Sequence, residues 1–229
     1  MASLLYVTQV SPYLNGPAGV HGVLDQSATG VGQLAGMFGL DGVHVTDVRA
    51  LSLQQLADAR VLGLFTIGET PWSASQRATI LERVRGGALA VLAVHAATDS
   101  CYGWDEYGQL VGARFDGHPW TQTFELEVVD RDHPATRHLQ QTWTWTDEVY
   151  LFRDLRPDAS VLLRVADGQL DMTVPGAKQP PWGFPLSWCF EEGKGRVFSS
   201  TLGHFPSAWE SPPYLTYLQG GLAWALGEA

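Results

Sequence analysis

Residues 88–99, Ala-Leu-Ala-Val-Leu-Ala-Val-His-Ala-Ala-Thr-Asp, decide the fold class of this 229-residue chain. The first seven are apolar without interruption, which is typical of a strand that is buried on both faces. Gly86-Gly87 stands directly before them and favours the end of a helix. That helix is predicted to begin at a capping box formed by Ser73 and Gln76. A helix leading into a doubly buried strand predicts an α/β protein with a parallel sheet.

Strand and helix candidates also alternate before this stretch, and the pattern of side chains changes after it. Residues 4–10 and 61–67 are further apolar strand candidates, and residues 24–38 repeat apolar side chains at helical spacing. Beyond residue 100, residues 122–129 alternate polar and apolar side chains, and residues 186–201 contain two strand candidates around a hairpin turn. These later segments predict antiparallel strands added to a central, mainly parallel sheet.

Charge and composition exclude several classes of partner. The chain has 14 Lys and Arg against 24 Asp and Glu, a net charge of −10, and 45% of its residues are hydrophobic. This apolar fraction supports a substantial core. Because no basic run is present, nucleic acid and anionic membrane surfaces are not expected as partners, whereas small neutral or cationic ligands are compatible with this charge.

Location and domain organisation follow from what the sequence does not contain. No run of about 18 apolar residues is present, and the first residues lack the basic and apolar regions of a signal peptide, so a cytoplasmic protein is expected. Cys101 and Cys189 match no disulfide or metal motif and are expected to be buried, reduced thiols. With no linker and no internal repeat, residues 1–229 are predicted to form a single domain.

His95 is the first candidate functional residue, because it directly follows the apolar strand. Ligands of parallel α/β sheets bind at the carboxyl ends of strands. His95 is therefore predicted to stand at a tight elbow on the floor of a cleft. The alternative is a histidine that only ties down a loop.

A second group of candidates lies in Phe115-Asp-Gly-His-Pro-Trp-Thr-Gln122. Its Gly-Pro turn is suited to aiming Asp116, His118, Trp120 and Gln122 into one cleft. Taken alone, the segment is equally well explained as a turn with a packed tryptophan.

Two further candidates follow predicted strands. Asp147 and Glu148 end an aromatic strand, and since successive side chains of a strand point to opposite faces, at most one of them enters a given pocket. His204 follows another apolar strand, with Gly203 permitting close approach of the backbone. The sequence predicts that His95, His118, His204 and one carboxylate from Asp116, Asp147 or Glu148 line one pocket, with Trp120 nearby.

Five motifs together resemble the ThuA family, the trehalose-utilisation proteins. They are Gly86-Gly87 with the strand to His95-Ala-Ala-Thr-Asp99, Tyr107-Gly-Gln-Leu-Val-Gly112, Phe115-Asp-Gly-His-Pro-Trp120, Thr146-Asp-Glu148 and Leu202-Gly-His204. The resemblance runs from about Val61 to Trp224 and implies a flavodoxin-like, class I glutamine amidotransferase-like three-layer sandwich. Residues 11–40 match less well, so it assigns no role to His21.

The resemblance also argues against glutaminase activity. Amidotransferases carry a cysteine nucleophile at the strand-to-helix elbow, where this chain has His95. Cys101 and Cys189 lie outside any Gly-x-Cys-x-Gly context. Similarity to ThuA implies instead a trehalose-related disaccharide, particularly one oxidised to its 3-keto form by a partner sugar dehydrogenase.

Two functions from different classes remain open. The first is an enzyme, a keto-sugar hydrolase, lyase or isomerase that works by acid/base chemistry. His95 or His204 would be its base, and Asp116, His118 or Glu148 would orient the base or protonate the leaving oxygen. The second is a non-catalytic sugar-binding or regulatory domain on an amidotransferase-like scaffold.

Substrate contacts and cofactors are less well specified by the sequence. Trp120 and Tyr107 are candidate flat surfaces for a sugar, and Asp147, Gln122 and Asp99 are candidate polar partners. No cofactor is required by the sequence, but a set of histidines and carboxylates is also compatible with a divalent metal that polarises a ketone. The sequence leaves open whether the chain forms a homo-oligomer.

Overall fold

The computed structural model describes residues 2–11 and 23–228, and His21 lies outside them. Within these ranges one sheet contains nine strands: β1 (Ser3–Val7), β2 (Asp41–Val45), β3 (Ala59–Leu64), β4 (Ala90–Val94), β5 (Ala113–Val128), β6 (Thr142–Leu155), β7 (Ser160–Val165), β8 (Pro185–Glu192) and β9 (Gly195–Ser200). The same ranges contain six helices: α1 (Leu24–Met37), α2 (Leu53–Asp58), α3 (Ala74–Arg85), α4 (Tyr107–Val111), α5 (Pro206–Trp209) and α6 (Pro212–Leu226). Short 3-10 turns occupy Val48–Ala50 and His95–Thr98.

The sheet is mixed. Its strand order is β2-β1-β3-β4-β9-β8-β7-β5-β6. The first four pairings in this order are parallel, and the last four are antiparallel. This differs from the mainly parallel sheet that the sequence predicts. The antiparallel half is larger than expected because β5 and β6 run for 16 and 14 residues, well beyond the segments whose side chains alternate clearly.

The parallel half is covered by apolar packing on both faces. All five residues of β4 are buried. On β1, Leu4 and Tyr6 belong to one hydrophobic core, while Leu5 and Val7 belong to a second. Because alternate residues of a strand point to opposite faces, these two cores lie on opposite sides of the sheet. Such double burial explains why the strands read as continuous apolar runs.

Local sequence signals define α3 as predicted. Ser73 caps the helix by accepting a hydrogen bond from the Gln76 backbone N–H, and the Gln76 side chain bonds back to the cap, which completes the capping box. Gly86 is the C-terminal cap. Gln76 also donates from Nε2 to the carbonyl oxygens of Val48 and Leu51, so this capping residue joins α3 to the loop before α2.

The prediction that both cysteines are buried is confirmed. Cys101 and Cys189 are both buried and free. Of the helices in the described ranges, none has the length and apolar character needed to cross a membrane.

The parallel pairing of β4 with β9 positions the functional candidates. Val94 pairs with Ser200, so the two strands end at the same edge of the sheet. His95 follows β4, and His204 lies in the loop after β9. At the same edge β5 contacts the turn that begins at His95. Three chain segments that are distant in sequence therefore meet at one point.

Close packing of α6 leads to a testable prediction. A Cβ atom at Gly220 would stand 2.2 Å from the Pro134 carbonyl oxygen, so Gly220→Ala should lower the free energy of unfolding by about 1–3 kcal/mol. Gly32 on α1 has no neighbour within 4 Å of such an atom, and Gly32→Ala should raise the same quantity by up to about 1 kcal/mol, since alanine favours helices. Urea unfolding of both variants checks this. Equal effects in the two variants would contradict the observed packing.

Candidate active site

The elbow predicted after β4 is present at His95. Among the described residues other than glycine, only His95 and Cys101 have a positive φ, at 48° and 53°. A side chain other than glycine is strained in this left-handed region, and such strain persists where the surrounding structure over-determines it, often at functional sites. The elbow aims the His95 ring toward the loop after β9.

The His95 ring is held on both sides. Its Nδ1 lies 2.8 Å from the carbonyl oxygen of Thr201. A carbonyl only accepts hydrogen bonds, so Nδ1 carries the proton and in the neutral ring Nε2 presents a lone pair. This Nε2 lies 3.2 Å from the Tyr150 hydroxyl and 3.2 Å from Nδ1 of His204. The side chain is 0% exposed, so His95 lies beneath the site and not, as predicted, on the floor of an open cleft.

Glu148 is the carboxylate around which the histidines meet. Its Oε2 lies 3.6 Å from His95 Nε2 and 3.4 Å from His204 Nδ1, and its Oε1 lies 3.5 Å from His118 Nδ1. Side-chain exposure rises from 10% for Glu148 to 20% for His204 and 43% for His118. We call these four residues the Glu148 cluster. It leads from the buried imidazole of His95 to the solvent-exposed imidazole of His118.

Burial perturbs the ionisation of the cluster. It raises the pKa of Glu148 to about 7, and the charge of neighbouring Asp147 acts in the same direction. Burial also lowers the pKa of His118 and His204. Desolvation thus favours the neutral form of each group. A carboxylate and histidines perturbed in this way at a strand edge are typical of functional sites.

Asp147 is fully buried and organises the backbone of the cluster. Its Oδ2 accepts hydrogen bonds from Trp145 Nε1 at 3.0 Å and from the Gly203 N–H at 2.8 Å. Its Oδ1 accepts from the N–H groups of Glu148 at 2.9 Å and His204 at 3.3 Å. Burial raises the pKa of Asp147 to about 6, against the effect of these four donors. Asp147 therefore fastens the loop after β9 to β6, instead of facing a substrate as predicted.

Asp99 lies close to the cluster. It accepts a hydrogen bond from the Tyr102 hydroxyl, and burial raises its pKa. Its charge acts on His118, where it opposes the lowering of the histidine pKa by burial. Asp99, one of the polar substrate contacts predicted from the sequence, therefore lies where its charge acts on the most exposed member of the cluster.

The two predicted aromatic contacts lie elsewhere. Trp120 is buried, donates from Nε1 to the Asp171 carbonyl oxygen at 2.9 Å and packs edge-on against Phe184. Tyr107, the first residue of α4, is buried in the core with its hydroxyl 3.3 Å from Thr66 Oγ1. Neither ring presents a face to solvent, because long-range packing covers both. The prediction that they offer a flat surface to a sugar is corrected accordingly.

Asp116 and Gln122 hold a loop and do not join the cluster. Asp116 forms an ion pair with Lys178. Gln122 donates from Nε2 to the Gln169 carbonyl oxygen at 3.0 Å. Both partners belong to the long loop 167–183, which these contacts tie to β5. Of the three carboxylates proposed from the sequence for the convergent site, Glu148 is the one that contacts the imidazole rings of the histidines.

Tyr150 is a site residue that sequence reasoning missed. It is buried, its hydroxyl contacts His95, and burial raises its pKa well above the usual value. A signal was available: Tyr150 lies two positions after Glu148 on the same strand, so both side chains point to the same face. Extending the period of two from Glu148 would have identified it.

Part of the cluster has the composition of a metal site. Within the described residues, one nitrogen of His95, one of His204 and one carboxylate oxygen of Glu148 all lie within 4.8 Å of one another. The remaining member, His118, contacts the other oxygen of Glu148.

Comparison with solved structures shows the fold. A ThuA-like protein from Bacteroides uniformis superposes with a TM-score of 0.77 at 18% identity, covering 98% of this chain and 91% of that one. A ThuA-like protein from Parabacteroides merdae gives 0.74 at 19% identity, with 98% and 90% covered. A cytoplasmic protein from Salmonella typhimurium gives 0.61 at 15% identity, with 86% of each chain covered. Among curated proteins, none matched the sequence.

Comparison with protein families shows a relationship by sequence. The model of the ThuA family, described as trehalose utilisation, matches residues 16–225. The matched span contains all five sequence motifs and every residue of the Glu148 cluster. The resemblance stated from those motifs is confirmed over nearly the whole length, and the chain belongs to the ThuA family.

Proposed function

We propose that this protein processes a keto-sugar, such as a disaccharide oxidised at C3, by proton transfer at the Glu148 cluster. The observation that carries the proposal is one carboxylate in contact with three imidazoles, at the edge where β4 and β9 end. The family description, trehalose utilisation, supports a sugar as substrate. The cluster supplies the two proton-transfer groups that such a reaction needs.

The chemistry of a 3-keto-glycoside explains why these groups suffice. The carbonyl at C3 acidifies the hydrogen on C2, and a base removes it. The electron pair of that C–H bond forms a C1–C2 double bond as the bond from C1 to the glycosidic oxygen breaks, and this oxygen takes up a proton. Addition of water to the double bond then gives net hydrolysis. Release of the unsaturated sugar is a lyase reaction, and return of the C2 proton to the other face is an isomerisation.

The geometry suggests a division of roles within the cluster. His118 is the most exposed member and is assigned the direct proton transfer with the sugar. Glu148 Oε1 lies 3.5 Å from His118 Nδ1, so it orients this ring and can relay its proton. His204 is the second group with access to solvent. His95, fully buried, is a positioning residue that acts through His204 and Glu148.

Two phenylalanines replace the buried aromatic residues as candidates for the apolar face of the sugar. The Phe115 ring centroid lies 5.8 Å from that of His118, and the Phe205 centroid lies 4.7 Å from that of His204. Both rings are partly exposed. An apolar wall beside convergent polar groups is the usual composition of a carbohydrate site.

The proposal excludes an amidotransferase-type mechanism. Burial raises the pKa of Cys101 to about 11 and that of Cys189 to about 12. Since the thiolate is the nucleophile, neither thiol is suited to attack an amide at neutral pH. We further propose that the chain derives from an amidotransferase-like scaffold and acts in the cytoplasm. A partner dehydrogenase would supply the keto group of its substrate.

An assay with matched sugars tests the proposed function. The protein should turn over 3-keto-trehalose or a 3-keto-glucoside but leave trehalose itself unchanged, because trehalose has no carbonyl to acidify C2. Product is followed by chromatography and by nuclear magnetic resonance of the released sugar. Turnover of both sugars at equal rates, or of neither, contradicts the proposed reaction.

The complete burial of His95 favours one alternative, a non-catalytic sugar-binding or regulatory domain. In this case the strained elbow residue stabilises the loop after β9 and transfers no proton. Saturable binding of the keto-sugar without product, measured by calorimetry in the same samples, supports the alternative.

A further inference from the structure

Three atoms of the Glu148 cluster form a nearly regular triangle. His95 Nε2 and His204 Nδ1 are 3.2 Å apart, and Glu148 Oε2 lies 3.6 Å from the first and 3.4 Å from the second. Ligand atoms bound at about 2.0–2.2 Å in a tetrahedral site stand about 3.3–3.6 Å from one another. The three atoms therefore already have the mutual spacing of three ligands of one ion.

The chemistry of the donors narrows the choice of ion. Two imidazole nitrogens and one carboxylate oxygen suit zinc and its neighbours among the transition metals. Calcium and magnesium prefer sites made of oxygen atoms alone. Three protein ligands also leave a coordination position for water or a substrate oxygen, which is characteristic of catalytic zinc sites.

Each of the three ligand residues is oriented by a second contact. The Thr201 carbonyl oxygen accepts the Nδ1 proton of His95 and so directs the lone pair of Nε2 into the triangle. Asp147 accepts hydrogen bonds from the backbone N–H groups of both Glu148 and His204. In known metal sites an outer contact to the second ring nitrogen fixes the tautomer of a histidine ligand, as Thr201 does for His95. For Glu148 and His204 the contacts hold the backbone from which the ligand side chains extend. The arrangement has the supporting contacts of a built site.

We propose that His95, Glu148 and His204 together bind one divalent transition-metal ion of the zinc type. The ion contacts Oε2 of Glu148, so Oε1 keeps its contact with His118 and the role assigned to that histidine is unaffected. Only the role of the ion in catalysis, in which it would polarise the ketone oxygen of the sugar, rests on the proposed function. Binding of the ion is a property of the free protein and is measured without sugar.

The test uses the full chain, stripped with a chelator and free of any histidine tag. Titration with Zn²⁺ against a coloured competing chelator should show one tight site per chain. Glu148→Gln and His204→Gln should each weaken that site by at least about 100-fold. His138→Ala removes an exposed histidine outside the cluster and should leave the affinity unchanged. Circular dichroism verifies that the variants are folded.

Cobalt provides an independent readout. The Co²⁺-loaded protein should show the visible absorption of four-coordinate cobalt, and Glu148→Gln should abolish it. Absence of Zn²⁺ and Co²⁺ binding to the stripped protein, or binding that survives in both ligand variants, overturns the proposal and leaves a metal-free hydrogen-bonded cluster. Tight metal binding without turnover of any keto-sugar refutes the proposed function while the metal site stands.

Discussion

Asp147→Ala should lower the free energy of unfolding by about 3–5 kcal/mol. The carboxylate is fully buried and accepts four N–H groups, from Trp145, Gly203, Glu148 and His204. Alanine leaves these donors without an acceptor, and a buried donor that loses its partner retains the full cost of its desolvation. Urea unfolding followed by circular dichroism measures the change.

A matched control separates this effect from the loss of any acidic residue. Asp132 is an exposed aspartate, and Asp132→Ala should change the free energy of unfolding by less than about 0.5 kcal/mol. The free energy of unfolding of Asp147→Asn should lie between those of the two alanine variants. The amide oxygen of asparagine accepts some of the hydrogen bonds, while the amide NH₂ group faces other donors. Equal stability of the two alanine variants would show that Asp147 does not hold the loop after β9 to β6.

Glu148→Gln should reduce the turnover of a 3-keto-glycoside by about 1,000-fold, with most of the loss in kcat. Glutamine keeps the size of the side chain and one acceptor oxygen, but it cannot accept a proton from His118, nor can it supply a carboxylate to an ion. The variant should remain folded, since burial already raises the pKa of Glu148 to about 7 and makes its neutral form readily accessible. Steady-state kinetics on wild type and variant give the comparison.

Glu82→Gln is the control for this second prediction. Glu82 is exposed on α3, away from the edge of the sheet that carries the cluster, and its replacement should leave kcat and KM unchanged. An unaltered rate in Glu148→Gln would remove Glu148 from the reaction. A rate lost equally in both variants would point to a change in folding or concentration instead of chemistry.

Sequence patterns alone determined those features that depend on near neighbours in the chain. The apolar run at residues 88–94 predicts the buried strand β4, because a strand covered on both faces needs apolar side chains at every position. Ser73 and Gln76 predict the start of α3, since the capping box is a contact over three residues. The position of His95 directly after β4 predicts the elbow, because ligands of parallel α/β sheets bind at the carboxyl ends of strands.

The extent of the antiparallel half required the tertiary structure. Residues 113–121 of β5 have no clean alternation, since the segment contains Gly117 and Pro119 and its pairing with β6 is interrupted by register shifts. The pairing of such a strand is decided by its partner across the sheet, not by its own pattern. The sequence therefore predicted a mainly parallel sheet, while the structure is evenly mixed.

Some residues of the site were likewise predicted from local patterns, whereas others were decided only by the tertiary structure. Local patterns placed His95 and His204 after strands and showed that Asp147 and Glu148 face opposite ways. Only the contacts of β6 with the residues that follow β4 and β9 decided that Glu148 enters the cluster and that Asp147 is buried behind it. Burial of Trp120 likewise depends on the distant loop 167–183. Contacts between segments far apart in the chain depend on how whole elements pack, and a single sequence specifies those contacts only through the complete fold.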